Sequence, residues 1–279
     1  MTTDSRRRAL IDTDPGIDDA LALLLAWGSP EWTVDVVTVV AGNAPLEACV
    51  RNVFRLLDLR RPLPAPLVAT GAARPLARPL RVAPYHGGDG LGDLPDWPAV
   101  EPRVASVDAP GVIADAAAIR GAGRVVAMGG AVDVPGNVTP DAEFNAHVDP
   151  EALARVLDAG VRLDLVPLDA TRQVTLESAA LQSALARAPA PFADRVRRVV
   201  EYALRIDLAH GKRGMDLHDP LAVGVALDPT LVRWEPVRLA VGPDGQTRRA
   251  TGEPNARFAH VVDTPRFLSM FLERLCPAS

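Results

Sequence analysis

Near its start the chain carries four carboxylates within eight consecutive positions, Asp12, Thr13, Asp14, Pro15, Gly16, Ile17, Asp18 and Asp19. The short apolar run from Ala9 to Asp12 reads as a strand, and Ala20 to Trp27, apolar and rich in helix formers, reads as a helix. The acidic run therefore lies where a strand hands over to a helix. Two like charges about 4 Å apart at an effective dielectric near 20 repel by roughly 4 kcal/mol, so such a cluster has to be solvated, protonated or bridged by a cation. Asp18 or Asp19 acting as a helix cap accounts for only part of it. Pro15 and Gly16 argue for more, because they force a tight backbone at the carboxyl end of a strand, where open α/β sheets place their ligands. An all-oxygen donor set favours a hard cation, calcium or magnesium. Calcium is the better match, since it tolerates bidentate carboxylates and leaves room for substrate hydroxyls and a water.

The same alternation continues along the chain. Thr33 to Ala41 is β-branched and almost wholly apolar, as expected of a strand buried on both faces of a parallel sheet. Pro45 opens a helix through about Leu59. Leu67 to Thr70, Arg124 to Met128 and Leu163 to Leu168 read as further strands, and Pro150 to Ala159, Ala193 to Ala209 and Pro265 to Leu275 as helices. This order predicts an α/β fold, an open, mostly parallel twisted sheet with helices on both faces and a Rossmann-like core. The stretch Trp234 to Val262, β-like around the turn Gly242 to Gly245, predicts a small antiparallel appendage. No repeat or low-complexity tract breaks the 279 residues, so one domain spanning 1–279 is expected.

Composition removes several classes of function. With 30 basic and 35 acidic residues the formal net charge is -5, which excludes a basic platform for a nucleic-acid polymer. The apolar stretches Ala20 to Trp27 and Val36 to Ala41 are far short of a membrane span, and the polar start, Met1 to Arg8, has no apolar signal region behind it. A cytoplasmic protein with no membrane partner is the expectation. Cys49 and Cys276 are far apart and lack metal-ligand spacing, so neither a disulfide framework nor a thiolate metal site is indicated. Lysine occurs once, at Lys212, while arginine is abundant, as GC-rich coding produces; no single arginine carries phosphate-binding meaning by itself.

Polar and glycine residues recur after the predicted strands. Gly42 and Asn43 follow the second, and His86, Gly87, Gly88, Asp89, Gly90, Leu91 and Gly92 form a glycine-rich, flexible loop. Met128, Gly129 and Gly130 end another strand, followed by Gly136 and Asn137 and then by Ala142, Glu143, Phe144 and Asn145. His218, Asp219 and Pro220 precede an apolar helix. Singly each has a structural reading: Asn43 as a turn former, Asn137 as a left-handed residue, His218 or Asp219 as a cap. Their ordered recurrence is the informative part.

Together these segments resemble the inosine-uridine nucleoside hydrolase family, whose DxDPGxDD hallmark is matched by Asp12 to Asp19. The resemblance implies hydrolysis of the N-glycosidic bond of small-molecule ribonucleosides to free base and ribose, a place in nucleoside catabolism or salvage, and a homodimer or homotetramer. It implies a Ca2+ ion held by Asp14, Asp19 and Asp219, with Asp14 also deprotonating the attacking water. Asp18, Asn43, Asn137, Glu143 and Asn145 match positions that hold the ribose, and Asp12 looks like a supporting residue. His218 matches a leaving-group contact or proton donor, and His86 a base contact. The chemistry agrees: an oxocarbenium-like anomeric carbon calls for nearby negative charge, a positioned water and a route for protonating the departing base.

One feature of the family pattern is missing. The GPLTN-like turn expected between the glycine-rich loop and Met128 is not found. That interval contains Pro95, Pro98, Pro102 and Pro110 with one plausible helix around Val112 to Ile119, so a strand–turn segment between 95 and 124 reads as deleted. Two other readings stay open at this level. One is a catalytically impaired homologue that binds a nucleoside or ribosyl ligand. The other is a magnesium-dependent phosphohydrolase using the Asp12, Asp14 pair, although its later lysine would have to be Lys212, which follows no acidic motif.

Overall fold

The computed structural model describes residues 6–120 and 123–276. β1 (Arg7–Thr13) passes through the acidic loop into α1 (Ile17–Trp27), and β2 (Trp32–Val39) returns parallel to β1, pairing Thr13 with Val39. α2 (Leu46–Arg60) and β3 (Leu67–Thr70) repeat the unit and complete a three-stranded parallel sheet ordered β1-β2-β3. α1 is buried from Ile17 to Ala26, its two acids included, and β2 is buried at Val34, Val36, Val37 and Val39. A helix without a polar face is one covered on all sides.

α3 (Ala109–Arg120) leads to β4 (Val125–Met128); α4 (Phe144–Val148) and α5 (Pro150–Asp158) precede β5 (Leu163–Val166), which runs parallel to β4. α6 (Leu168–Thr171) follows at once. β6 (Thr175–Leu176) then pairs antiparallel with β7 (Met215–Asp216) across α7 (Ser178–Leu185) and α8 (Ala190–Ala209). α9 (His218–Leu227), β8 (Val232–Val237), β9 (Leu239–Val241), β10 (Thr247–Arg249), β11 (Ala256–Val262) and α10 (Thr264–Leu275) complete the chain. The second sheet is ordered β4-β5-β11-β8, parallel except for its edge strand β8. The antiparallel region expected from Trp234 to Val262 thus takes two forms: β8 and β11 join the main architecture, and β9 and β10 form a separate two-stranded ribbon.

Among the described residues β1 and β4 each lack a strand partner on one side. α9 ties the two together, because Arg7 beside it in β1 donates to the Leu227 carbonyl (2.8 Å) and Arg124, just before β4, donates to the Val225 carbonyl (3.0 Å). Between Leu94 and Val125 the described residues form α3 and an isolated parallel bridge from Ser106 to Ala69 of β3. Residues 121 and 122 of the 95–124 interval, like both ends of the 1–279 span, lie outside the described residues. No helix among the described residues is long and apolar enough to cross a membrane, and Cys49 and Cys276 are both buried free thiols.

Asp164 joins three strands. Wholly buried on β5, it accepts hydrogen bonds from Arg257 of β11 at 2.5 and 2.7 Å and from Arg124 next to β4. Burial pushes its carboxyl up, but the hydrogen bonds from Arg257 and Arg124 outweigh that and hold its pKa below the ordinary value. A carboxylate with a depressed folded pKa contributes its full stability above the unfolded pKa and loses it as pH falls through the folded one. Asp164→Ala leaves two partly exposed arginines without their shared carboxylate and is expected to cost about 1.5–3 kcal/mol, the scale of hydrogen bonds to a charged group. Urea unfolding at neutral pH checks this, and a loss below about 1 kcal/mol would mean that the partly exposed arginines are satisfied by solvent.

Candidate active site

The loop after β1 is held by its own side chains. Asp19, in the first turn of α1, accepts from the Thr13 hydroxyl (2.6 Å), the Gly16 N–H (3.0 Å) and Nδ2 of Asn43 (2.8 Å). Asn43, beyond β2, also donates its N–H to Oδ2 of Asp14 at 2.6 Å. The turn between them has to be glycine, since a Cβ on Gly42 would lie 2.1 Å from that oxygen. Asp12 points to the neighbouring strand, where the Thr38 hydroxyl donates to it at 2.5 Å. Asn52, buried in the middle of α2, donates to the carbonyls of Pro15 (3.1 Å) and Asp89 (2.7 Å) and so ties the glycine-rich loop to the acidic one. That loop, expected to be flexible, is pinned by Asp89, which takes the N–H groups of Leu91 and Asp93, and by Asp93, which takes those of Gly88 and Asp89.

The start of α9 brings Asp219 to this loop. Carboxylate oxygens of Asp18, Asp19 and Asp219 all lie within 4.8 Å of one another. Asp14 is not part of that trio, although charge repulsion from Asp19, Asp18 and Asp12 reaches it. Burial first, then Asp19, raise Asp14 well above the usual carboxylate range, and the Asn43 N–H opposes them. Asp219 is raised well above its ordinary value for the same reasons, burial first and then Asp19, Asp18 and Asp14. Burial and Asp19 push Asp18 up to about 6. One Asp18 oxygen, Oδ1, is buried with no hydrogen-bond partner among the described residues. Buried carboxylates that repel one another, with an unsatisfied oxygen among them, are a donor set suited to a hard cation.

Two histidines face the cluster. The Ile17 N–H donates to Nδ1 of His86 at 3.0 Å, so that nitrogen is the acceptor and the ring proton sits on Nε2. Burial lowers His86 to about 4, and the 3.9 Å approach of Asp18 is therefore that of a carboxylate to a neutral ring. Nδ1 of His218 is engaged by the Thr171 hydroxyl at 2.7 Å, leaving Nε2 for a ligand. Burial lowers the His218 pKa, with Asp18 and Asp216 opposing.

The residues after β4 form a second group. Glu143 is the N-cap of α4 and is 2 % exposed; its carboxylate accepts from Asn145 N–H (2.9 Å), Ala146 N–H (3.1 Å) and Gly130 N–H (2.8 Å). Burial raises its pKa and those backbone donors oppose the rise. The Gly130 N–H can point there because its φ is 80°, a conformation that favours glycine. Oδ1 of Asn137 accepts from the Phe144 N–H at 2.9 Å, and Nδ2 of Asn145 reaches the Met128 sulfur at 3.3 Å. Asn137, Glu143 and Asn145 are thus gathered beyond the carboxyl end of β4, as Asp14, Asp18 and Asp19 are beyond β1 and Asn43 beyond β2, while His86 comes from the loop after β3 and His218 and Asp219 from the start of α9. Sequence reasoning did not find Thr13, Asn52, Thr171 or Asp169, which accepts from the N–H groups of Val132 and Asp133 after β4. Only Asn52 carried a signal, a polar residue on the apolar face of a helix.

Comparison with known proteins gives the same assignment throughout. The family model described as inosine-uridine preferring nucleoside hydrolase matches residues 9–121 and 112–269. The pyrimidine-specific ribonucleoside hydrolase RihA of Salmonella typhimurium is 33 % identical over 315 aligned positions, covering 95 % of this chain and 97 % of that protein. Among solved structures, a purine-preferring ribonucleoside hydrolase from Gardnerella vaginalis superposes with a TM-score of 0.85 at 29 % identity, covering 96 % of this chain and 98 % of that one. A plant nucleoside hydrolase superposes with a TM-score of 0.83 at 27 % identity, covering 97 % and 99 %. With the acidic loop, the Asn43 turn and the α9 start folded into one cluster, and with matches over nearly its whole length, the chain belongs to the inosine-uridine preferring nucleoside hydrolase family.

Proposed function

We propose that this nucleoside hydrolase cleaves the N-glycosidic bond of ribonucleosides, releasing free base and ribose, with calcium held by Asp14, Asp19 and Asp219. The observation that carries the reading is the buried, mutually repelling set Asp14, Asp18, Asp19 and Asp219, whose raised members Asp14, Asp18 and Asp219 demand a countercharge. Calcium bound there would supply that countercharge and would make a nearby water more acidic. Asp14, oriented by the Asn43 N–H, takes the proton of the attacking water as its oxygen bonds to the anomeric carbon. The carboxylates stabilise the positive charge that develops on the sugar, and the electrons of the broken C–N bond leave with the base. Asp18, Asn43, Asn137, Glu143 and Asn145 hold the ribose hydroxyls. His218, fixed by Thr171, and His86, with its proton on Nε2, offer donors to the departing base.

We also read the family's strand and turn as deleted between 95 and 124. Three observations support this. The alignment with the Salmonella protein runs over 315 positions although the chain has 279 residues. The family match divides into two pieces that overlap at 112–121. β1 and β4 are each unpaired on one side among the described residues.

Calorimetric titration of the chelator-treated protein with calcium tests the metal, with saturable binding expected below millimolar ion and a parallel magnesium titration expected to be weaker. No detectable calcium binding at millimolar concentration would remove the ion from the reaction. Release of free ribose from uridine or inosine, scored against free phosphate from a phosphate monoester, separates nucleoside hydrolysis from phosphohydrolysis. Nucleoside binding without ribose release would identify an impaired homologue.

A further inference from the structure

An open depression of about 460 Å³ is lined by Arg172, Thr175, Gly211, Lys212, Arg213 and Asp216. It adjoins the proposed leaving-group side through the backbone. Arg172 follows Thr171, whose hydroxyl engages His218, and Asp216 precedes His218 by two residues on β7. The Leu217 N–H donates to the Val174 carbonyl at 3.0 Å, which holds both walls together.

The charges in this depression do not cancel. Arg172 gives one Nη to the Pro135 carbonyl (2.6 Å) and the other to the Gly136 carbonyl (2.7 Å), acceptors that carry no countercharge. Arg213 is exposed and has no ion pair or hydrogen bond among the described residues. Lys212 is held 3.0 Å from both Asp207 and Asp216. Asp207 is itself buried and accepts from the Tyr85 hydroxyl at 2.5 Å, so Lys212 is anchored from two elements and does not swing freely. Every other basic residue of the 30 in the chain is arginine; the one lysine stands here. Arg172, Lys212 and Arg213 set three cations against two carboxylates, Asp216 in the lining and Asp207 behind Lys212, so one positive charge is left over next to an otherwise acidic site. Solvated surface arginines need no such construction, whereas Arg172 is half-buried and locked in place by the loop that carries Asn137.

We infer that this depression is an anion subsite, formed by Arg172, Lys212 and Arg213, that takes an oxyanion carried by the nucleoside, either a carboxylate on the base or a phosphate on the sugar. The inference rests on the ribonucleoside reading above and extends it to the substrate class. Oxygen anions suit it because guanidinium and ammonium groups form their strongest hydrogen bonds with them.

Calorimetry on the full chain with four probes tests it: uracil, uracil 6-carboxylate, ribose and ribose 5-phosphate. A base-side anion makes uracil 6-carboxylate bind about tenfold or more tightly than uracil, and a sugar phosphate does the same for ribose 5-phosphate over ribose, the scale of one charge-assisted hydrogen bond. The preference should disappear in Arg213→Gln, whose exposed and unpaired side chain leaves the fold intact, and in Lys212→Gln, with affinity for the neutral probe retained. The subsite is overturned if neither anion binds more tightly than its neutral counterpart, or if the preference survives both substitutions. Ribose release from uridine is scored separately. Hydrolysis without an anion preference removes the subsite alone, and an anion preference without hydrolysis of any ribonucleoside removes the hydrolase reading alone.

Discussion

Asp14→Asn lowers the rate of ribose release from subsaturating uridine by about 10²-fold or more, the scale of a general-base contribution. The substitution is close to isosteric, and its amide oxygen can still accept the Asn43 N–H that Asp14 now accepts at 2.6 Å. The absence of a side chain at Gly42 keeps the same space available. What is lost is the basic oxygen and, with it, one charged ligand of the proposed calcium site. The change also removes one of the mutually repelling carboxylates, so the chelator-treated variant is expected to unfold at a higher temperature than the parent. Lower activity together with unchanged or greater metal-free stability marks a chemical role, because a packing defect would lower both. Release of ribose at the parental rate under the same conditions would take Asp14 out of the base assignment.

The elements that define the fold were legible where local chemistry and burial coincide. Leu67 to Thr70 is a short apolar run between prolines and is β3 to the residue; Pro45 opens α2 as its N-cap, and Pro150 opens α5. The strand expected from Leu163 to Leu168 stops at Val166 because Pro167 diverts the chain into α6. α7 was not anticipated. Its sequence, Ser178 to Leu185, is alanine-rich with only Leu181, Ala184 and Leu185 buried among its apolar positions, too short a pattern to separate from loop. β6 and β7 have two residues each and exist only because distant segments meet.

The site divides in the same way. The acidic run was visible because four carboxylates in eight positions carry their own electrostatic argument. Asn43 and Asp219 were legible as members of a pattern, but their placement against Asp19 and Asp14 is a property of two crossovers and of α9. The tautomer of His86 follows from an N–H 69 residues away, and the orientation of His218 from a hydroxyl 47 residues away. Neither partner is a residue type that announces itself in sequence. Glu143 looked like a sugar ligand alone, yet it also caps α4 and holds the Gly130 turn, so its substitution will disturb local structure as well as any substrate contact.

Removing one ribose hydroxyl is expected to reduce kcat/KM by up to about 10⁴-fold, with 2′-deoxyuridine or 3′-deoxyuridine suffering according to which hydroxyl meets Asp18. Oδ1 of Asp18 is buried with no hydrogen-bond partner among the described residues. Burial and Asp19 push that carboxyl up to about 6, and a cation held by its neighbours Asp19 and Asp219 would draw it back to the ionised form, so that an arriving hydroxyl meets a charged acceptor. A hydrogen bond to a charged acceptor is worth about 1.5–3 kcal/mol, and the deoxy analogue forfeits it while leaving the desolvated oxygen unpaired. The loss should concentrate in one of the two deoxynucleosides, since Oδ1 is one atom with one direction. In Asp18→Asn the discrimination should shrink, because the neutral side chain holds the hydroxyl less strongly and is less costly to leave unpaired. Equal kcat/KM values for uridine and both deoxynucleosides would place the free oxygen of Asp18 outside the reach of the sugar.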